Sequence, residues 1–365
     1  MQVKLLFALP RFQPGQPAWY KVPSAPCCVE RPNRMEISVI VVNWNRRELL
    51  RACLASLAAQ EGVEYEVLVV DNGSTDGSVE LAREMGAEVI ANAENRGFCA
   101  ANNQGIQLAR GRLIALLNND AEAEPAWLLS LQHAFTSADV GMAACKVLVH
   151  EDPRRIDKVG HVIYPDGQNR GRGSGEIDNG QYDKQEEALW PDGCACMYRK
   201  QMLDEIGGFD EDFFAYGDDA ELGLRARIAG WRCLYVPSAR VRHHRGSTLG
   251  LQSVRRLQLI ERNRVLLAVK LFPARLLWLN PFYFFVRLLS GAWFSIRAVG
   301  ETNHYPGIRG KLRMVAGLLS GDLQALRALP RTFRKRREVR KLRKLSESEI
   351  LALLRRHRAK LRELV

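Results

Sequence analysis

Three runs that are apolar but for Ser38, each closed by amide or carboxylate side chains, constrain this chain more than any other feature. Ile37-Ser38-Val39-Ile40-Val41-Val42 is followed by Asn43-Trp44-Asn45, Val67-Leu68-Val69-Val70 by Asp71-Asn72-Gly73, and Leu113-Ile114-Ala115-Leu116-Leu117 by Asn118-Asn119-Asp120. A strand that alternates apolar with polar residues has one wet face. These runs do not alternate, so both faces must be covered, as in the parallel sheets of α/β proteins. Helical patterns lie between them: Leu50, Leu54 and Leu57 make one apolar face, with Asn45 and Glu48 resembling a capping pair. Residues 79–85 and 102–109 suit two more helices, and Val89-Ile90 begins a further short strand. Strands alternating with helices predict right-handed crossovers and an α/β fold, its mostly parallel central sheet flanked by helices. Ligands of such sheets bind beyond the carboxyl ends of the strands, which collects Asn43, Asp71, Asn118, Asn119 and Asp120 on one rim.

A second feature sets acids among rings: Phe213-Phe214-Ala215-Tyr216-Gly217-Asp218-Asp219-Ala220-Glu221. The residues that follow have the pattern of a short helix stopped by Gly230, which puts Asp218 and Asp219 at its N-terminus. Helix capping explains two carboxylates there as readily as acid–base chemistry does, and this stretch alone does not choose.

A length of 365 residues with 47% hydrophobic content suits about two domains, or one large domain with appendages. The eight cysteines are scattered, and Cys194-Ala195-Cys196 lacks the second pair of a zinc site, so reduced thiols are expected. Residues 1–35 are punctuated by prolines behind an apolar run too short for a secretory signal, and read as a disordered N-terminal extension. Residues 150–187 are polar and glycine-rich, which predicts a mobile loop or hairpin over the rim. Their glycines do not fit a dinucleotide fingerprint, and residues 71–82 fail as a calcium loop because Gly73 and Ala82 stand where ligands belong.

Beyond a helix at 249–270, residues 251–300 read as amphipathic, aromatic-rich helices. Their longest uncharged run, 276–286, is about half of the ~20 residues a membrane span needs. An interfacial helix pair around Trp278, Tyr283 and Trp293 is therefore expected, with a helical extension packed on the core as the alternative. Residues 301–365 hold 18 Lys/Arg against 6 Asp/Glu, matching the whole chain's net charge of +12. This basic helical tail suits an anionic membrane surface; nucleic acid is the minor alternative, since no leucine heptad follows residues 331–344.

Taken in order, six stretches resemble one family. They are Ser38-Val39-Ile40-Val41-Val42-Asn43-Trp44-Asn45, Val70-Asp71-Asn72-Gly73-Ser74-Thr75-Asp76-Gly77, Asn95-Arg96-Gly97-Phe98, Leu117-Asn118-Asn119-Asp120, Gly207-Gly208-Phe209-Asp210-Glu211 and the acidic stretch at 213–225. Together they resemble family 2 inverting glycosyltransferases of the GT-A fold, especially rhamnosyl- and galactofuranosyltransferase-like members. The resemblance implies a catalytic domain over residues 36–250. It further implies a metal-dependent hexosyltransferase that moves a sugar, rhamnose among the candidates, from a nucleotide-diphosphate donor to a lipid-linked or polysaccharide acceptor in cell-envelope glycan synthesis.

The same resemblance assigns the nucleobase to Asp71, whose competing role is an Asx-turn. It implies donor contacts at Asn43, Asn45, Asn95, Gly97, Asn118, Asn119 and Asp120, and a Mn2+ or Mg2+ ion on Asp120 and His243, with His244 as second choice. Asn118 and Asp120 have the spacing at which strand side chains share a face, and Asn118 replaces one carboxylate of the family's D-x-D pair. Gly193 and Cys194 match the place where backbone nears the donor sugar and acceptor. In the implied mechanism Asp219 removes the acceptor proton as oxygen attacks the anomeric carbon, with Asp218 and Glu221 holding the base and the acceptor hydroxyls. The expected location is cytoplasmic, at the inner face of the plasma membrane. A noncatalytic nucleotide-sugar or polysaccharide binder is the competing reading, favoured by Asn118 and opposed by Asp120, Asp219 and His243 occurring together.

Overall fold

The computed structural model describes residues 35–244, 253–296 and 307–364, so the expected N-terminal extension lies outside the described residues. In chain order the elements are β1 (Ile37–Asn43), α1 (Arg47–Ala58), β2 (Tyr65–Asp71), α2 (Ser78–Glu84), β3 (Glu88–Ala91), α3 (Phe98–Leu108), β4 (Leu113–Leu117), β5 (Ala121–Ala123), α4 (Trp127–Gln132), β6 (Val140–Val149) and β7 (Ile156–Lys158). There follow β8 (His161–Ile163), β9 (Asn169–Gly171), β10 (Glu186–Ala188), β11 (Ala195–Arg199), α5 (Lys200–Ile206), α6 (Asp218–Ile228), β12 (Arg232–His243), α7 (Val254–Leu271), α8 (Ala274–Ile296), α9 (Gly307–Leu342) and α10 (Glu347–Arg356).

The three apolar runs are the strands that the pattern predicts. Strand β1 pairs in parallel with β2 on one side and β4 on the other, so the sheet changes winding direction there. Period-two alternation sends Ile40 into one hydrophobic cluster and Ile37, Val39 and Val41 into another, on the sheet's two faces. The main sheet runs β10-β12-β6-β11-β4-β1-β2-β3. It is less parallel than expected. Parallel pairing holds across β3-β2-β1-β4 and between β6 and β12, whereas β5, β7, β10 and β11 run antiparallel to their neighbours. Burial on both faces makes an apolar run but does not set strand direction; that depends on connections the local pattern does not encode.

Three further expectations are corrected. Asn45 does not cap α1: Arg46 holds that position with φ 90°, and Asn45 Oδ1 instead accepts from Thr75 N–H at 3.0 Å. Residues 150–187 contain β7, the β8–β9 hairpin and β10. The aromatic stretch forms the single helix α8, which continues through Pro281 where a helix pair was expected. Behind it, the buried Gly317, Gly321 and Ala325 bring α9 against α7; a Cβ at Gly321 would lie 2.7 Å from the Gln258 carbonyl oxygen.

Candidate active site

Helix α6 is aimed by a strained turn. Phe214 and Tyr216 adopt φ 63° and 67°, left-handed conformations that cost on the order of 1–3 kcal/mol each for side chains of this size. Asn263 of α7, buried beneath the turn, donates from Nδ2 toward the carbonyls of Phe213, Ala215 and Tyr216 at 2.9, 2.9 and 2.6 Å. Phe98 N–H, at the start of α3, donates to the Phe214 carbonyl at 2.8 Å. One turn into α6, Gly223 lets Trp190 approach so closely that a Cβ there would collide with it. Asp218 and Asp219 are consequently buried although they begin a helix, and no side chain caps that helix end.

From Asp219 a line of alternating charges leads across the rim. Asp219 Oδ2 lies 3.4 Å from His161 Nε2, which is 2.8 Å from Asp192 Oδ2. Lys158 Nζ stands 2.9 Å from that same Asp192 oxygen and 3.7 Å from Asp157 Oδ2. Asp157 Oδ2 in turn lies 2.8 Å from His243 Nδ1, and His243 Nε2 is 3.4 Å from Asp120 Oδ1. The backbone N–H groups of Gly193 and Cys194 donate to Asp219 Oδ2 and Asp192 Oδ1 at 3.4 and 2.9 Å.

Electrostatics differ along this line. Burial, then the charge of its neighbour, pushes Asp218 well above the ordinary carboxylate range. Asp219 is also raised by burial, with His161 pulling the other way. Asp192 goes below its usual range because Lys158 and His161 outweigh its burial. Burial would lower His243, but Asp120 and Asp157 carry it up to about 9.

The Asp120–His243 pair fits a divalent cation. Asp120 Oδ1 is buried and has no hydrogen-bond partner, and His243 is steadied by a carboxylate on its other nitrogen, an arrangement common behind metal-ligating imidazoles. His161, Asp192 and Asp219 also converge, yet Lys158 already supplies a cation to Asp192. Glu122, His150 and His244 converge at the ends of β5, β6 and β12, where His244 stacks on His150 at 3.6 Å and so turns away from Asp120.

The remaining sequence-derived candidates divide. Asn118–Asp120 is a turn rather than strand, closed by Ala121 N–H to the Asn118 carbonyl at 3.1 Å, so strand periodicity does not align Asn118 with Asp120. Asn43 is fully buried, donating to Asp71 Oδ2 at 2.9 Å and accepting from Asn119 Nδ2 at 2.7 Å, which locks three strand ends together. Asp71 accepts from Ser74 N–H and Oγ at 2.8 and 2.6 Å, the bonding of the Asx-turn alternative. Asn95 Oδ1 accepts from Gly97 N–H at 2.9 Å; Gly97 has φ 86°, and a Cβ there would meet the Phe214 ring at 2.5 Å. Gly193 lies over Asp219, and the Cys194 carbonyl accepts from Asn118 N–H at 2.7 Å. Glu221 leaves the site altogether. Two residues along the helix from Asp219, it faces the opposite side, 2.9 Å from Arg225 Nη2 and 2.6 Å from Lys270 Nζ.

Asp157, Lys158, His161 and Asp192 escaped the sequence reading. The first three lie in a polar, irregular segment that the pairing of β7 with the far end of β6 carries to the rim, and Asp192 arrives just ahead of β11. The sole local signal is a pair of charges and a histidine on short strands inside a segment that composition marks as loop.

A β3-β2-β1-β4 crossover sheet with Asp120, His243 and buried acids along its rim has the architecture of the GT-A fold. The chain belongs to glycosyltransferase family 2: the family model Glycosyl transferase family 2 matches residues 38–207 and Glycosyl transferase family group 2 matches residues 180–309. It is similar to an N-acetylglucosaminyl-diphospho-decaprenol L-rhamnosyltransferase of Mycobacterium tuberculosis, 26% identical over 59% of this chain and 78% of that protein. An uncharacterised M. tuberculosis protein is 28% identical over 64% of this chain and 76% of its own length. The O-antigen biosynthesis protein RfbC of Myxococcus xanthus is 29% identical over 58% of this chain, which spans only 18% of that longer protein. Among solved structures, a Pyrobaculum calidifontis mannosyltransferase in complex with GDP-Man and Mn2+ shares the fold, with TM-score 0.53 and 18% identity over 81% of this chain and 88% of that one. GalNAc-T7 with UDP, GalNAc and Mn2+ gives a TM-score of 0.50 at 14% identity, over 64% of this chain and 50% of that one.

Proposed function

We propose that the protein is an inverting hexosyltransferase that moves a sugar, rhamnose being the first to test, from a nucleotide-diphosphate donor to a lipid-linked acceptor of cell-envelope glycan synthesis. The observation that carries this reading is Asp219: a buried, raised carboxylate held by His161 and the Gly193 N–H, at the opposite end of a charged line from Asp120 and His243. A raised carboxylate is a stronger base toward an acceptor hydroxyl than an ordinary one, once ionised. Asp219 takes the acceptor proton as the hydroxyl oxygen bonds to the anomeric carbon and the bond to the diphosphate breaks on the far side. Asp218 shares the proton load, His161 and Asp192 fix the carboxylate's orientation, and Gly193 leaves room above it. Asp120 and His243 would hold Mn2+ or Mg2+, whose chemistry is to offset charge on the leaving diphosphate. Asp71, with Asn43, Asn45, Asn95, Gly97, Asn118 and Asn119 around it, forms the donor side.

The proposed place of work is the inner face of the plasma membrane. Among the described residues no helix is long and apolar enough to cross a membrane. Exposed apolar residues nevertheless recur at helical spacing: Trp278, Phe282, Phe285, Leu289 and Trp293 on α8, and Ile308, Leu312, Leu319 and Leu323 on α9. Arg309, Lys311 and Arg313 stand exposed beside the second stripe, which suits an anionic bilayer surface. Replacing Trp278 and Phe282 with Glu should abolish co-sedimentation with phosphatidylglycerol liposomes.

Thermal-shift and transfer assays across a panel of nucleotide sugars, with and without Mn2+, test the chemistry. Stabilisation by one donor class together with transfer supports the proposal. Binding without turnover for every donor would instead favour a noncatalytic sugar-nucleotide binder.

A further inference from the structure

Where β8 leaves the active site, it runs into a cavity of about 230 Å³ between the 164–165 turn, the junction of α7 with α8, and α10. Its floor is apolar, with Ile163, Tyr164, Phe272 and Leu354 all buried. Three arginines line it: Arg275 from the first turn of α8, Arg355 from the last turn of α10 and Arg358 just beyond that helix. No carboxylate lines it. Asp166, two residues from Tyr164, is turned to Arg287 at 2.5 Å and Arg264 at 4.0 Å. Arg358 lies over the Tyr164 and Tyr283 rings, 5.8 and 5.6 Å from their centroids. Arg287, on the same helix as Arg275, is matched with Glu261; this rim concentrates positive charge without an acid in its lining.

Two placements say what would fill it. His161, at the start of β8, touches Asp219, and Tyr164 lies three residues on, about 10 Å away at strand rise. That is comparable with a sugar joined to a diphosphate. On the other side Leu279 and Tyr283 line the cavity, each next in sequence to a residue of α8's exposed apolar stripe, Trp278 and Phe282. We infer that this cavity binds the diphosphate and first prenyl units of a polyprenyl-linked sugar acceptor. The phosphates rest on Arg275, Arg355 and Arg358, the first isoprenes lie on the Phe272–Leu354 floor, and the chain runs out along α8 toward the bilayer. Guanidinium forks suit phosphate oxygens, and their hydrocarbon stems tolerate the apolar wall. The inference rests on the lipid-linked acceptor proposed above.

The test measures affinity of the full chain for two synthetic probes by calorimetry: N-acetylglucosaminyl diphosphate bearing a farnesyl tail, and phosphate-free octyl N-acetylglucosaminide. The double variant Arg355→Gln/Arg358→Gln, altered only at exposed positions, should weaken the diphosphate probe at least tenfold with little effect on the octyl glycoside. The Lys versions of both should recover part of the loss. Unchanged affinity, equal loss for both probes, or no binding of the diphosphate probe to the wild type would overturn the inference. So would an equal loss of binding to phosphatidylglycerol vesicles free of acceptor, which would assign the arginines to bulk lipid. Sugar transfer is read in the same samples: tight diphosphate-probe binding without transfer from any donor counts against the proposed activity and leaves the cavity's assignment standing.

Discussion

Helix α6 opens with three acids, and they live under opposite conditions. Asp218 and Asp219 are buried with limited compensation, and both are held above the ordinary carboxylate range. Glu221 is buried even more completely, yet Arg225 and Lys270 outweigh the desolvation and hold it below that range. Lys270 also reaches Asp210 at 2.5 Å, and Lys335 from α9 closes the cluster on Asp210. Burial is common to all three acids; the difference is whether cations arrive with it. A compensated acid clamps α6 to α7 and α9, whereas an undercompensated pair is destabilising and poised to accept a proton.

The comparison breaks most sharply at Asp219. Asp219→Asn should cut turnover by a factor of roughly 10² to 10⁴ while thermal stability holds or rises, because a buried anion is exchanged for a neutral amide. Steady-state kinetics beside thermal melts check both halves, and unimpaired turnover would remove Asp219 from the base role. Glu221→Gln should do the reverse. It strands Arg225 and Lys270 in the interior and should cost about 3–5 kcal/mol in denaturant unfolding, with turnover per folded molecule close to wild type.

Acid should separate the two kinds of carboxylate without mutation. Asp210 and Glu221 titrate below their unfolded values, so their stabilisation is complete above about pH 4 and disappears only as pH falls through the lowered folded values. Asp218 and Asp219 titrate above theirs, so the folded state takes up protons first and gains stability as pH falls through their range. As pH falls, kcat/KM should therefore drop about tenfold per unit while the melting temperature does not fall with it; parallel loss of both would erase the distinction. The smallest effect belongs to His161→Ala, which removes a partner that favours ionised Asp219. It should move the acid limb of kcat/KM upward, with kcat at high pH much less affected.

The rim of strand ends and the acid-bearing helix were open to sequence reasoning because both rest on local patterns. Asn43, Asp71 and Asp120 end or closely follow apolar strands, and any fold that buries those strands brings their ends together. His243 ends β12 and meets Asp120 as expected. Glu221 was misplaced because adjacent acids in sequence look alike, while a helix sends residues two apart to opposite sides. Asn118 was misplaced by extending strand periodicity into a turn.

By itself, then, the sequence determined the strands, the rim where their polar ends collect and the helix that opens with two acids, because apolar period and helix signals act over a few residues. Tertiary structure alone decided which acid is undercompensated, and it brought Asp157, Lys158, His161 and Asp192 between Asp120 and Asp219. Charge compensation depends on distances of a few ångströms between residues far apart in the chain, such as Glu221 and Lys270, and no local pattern records those distances.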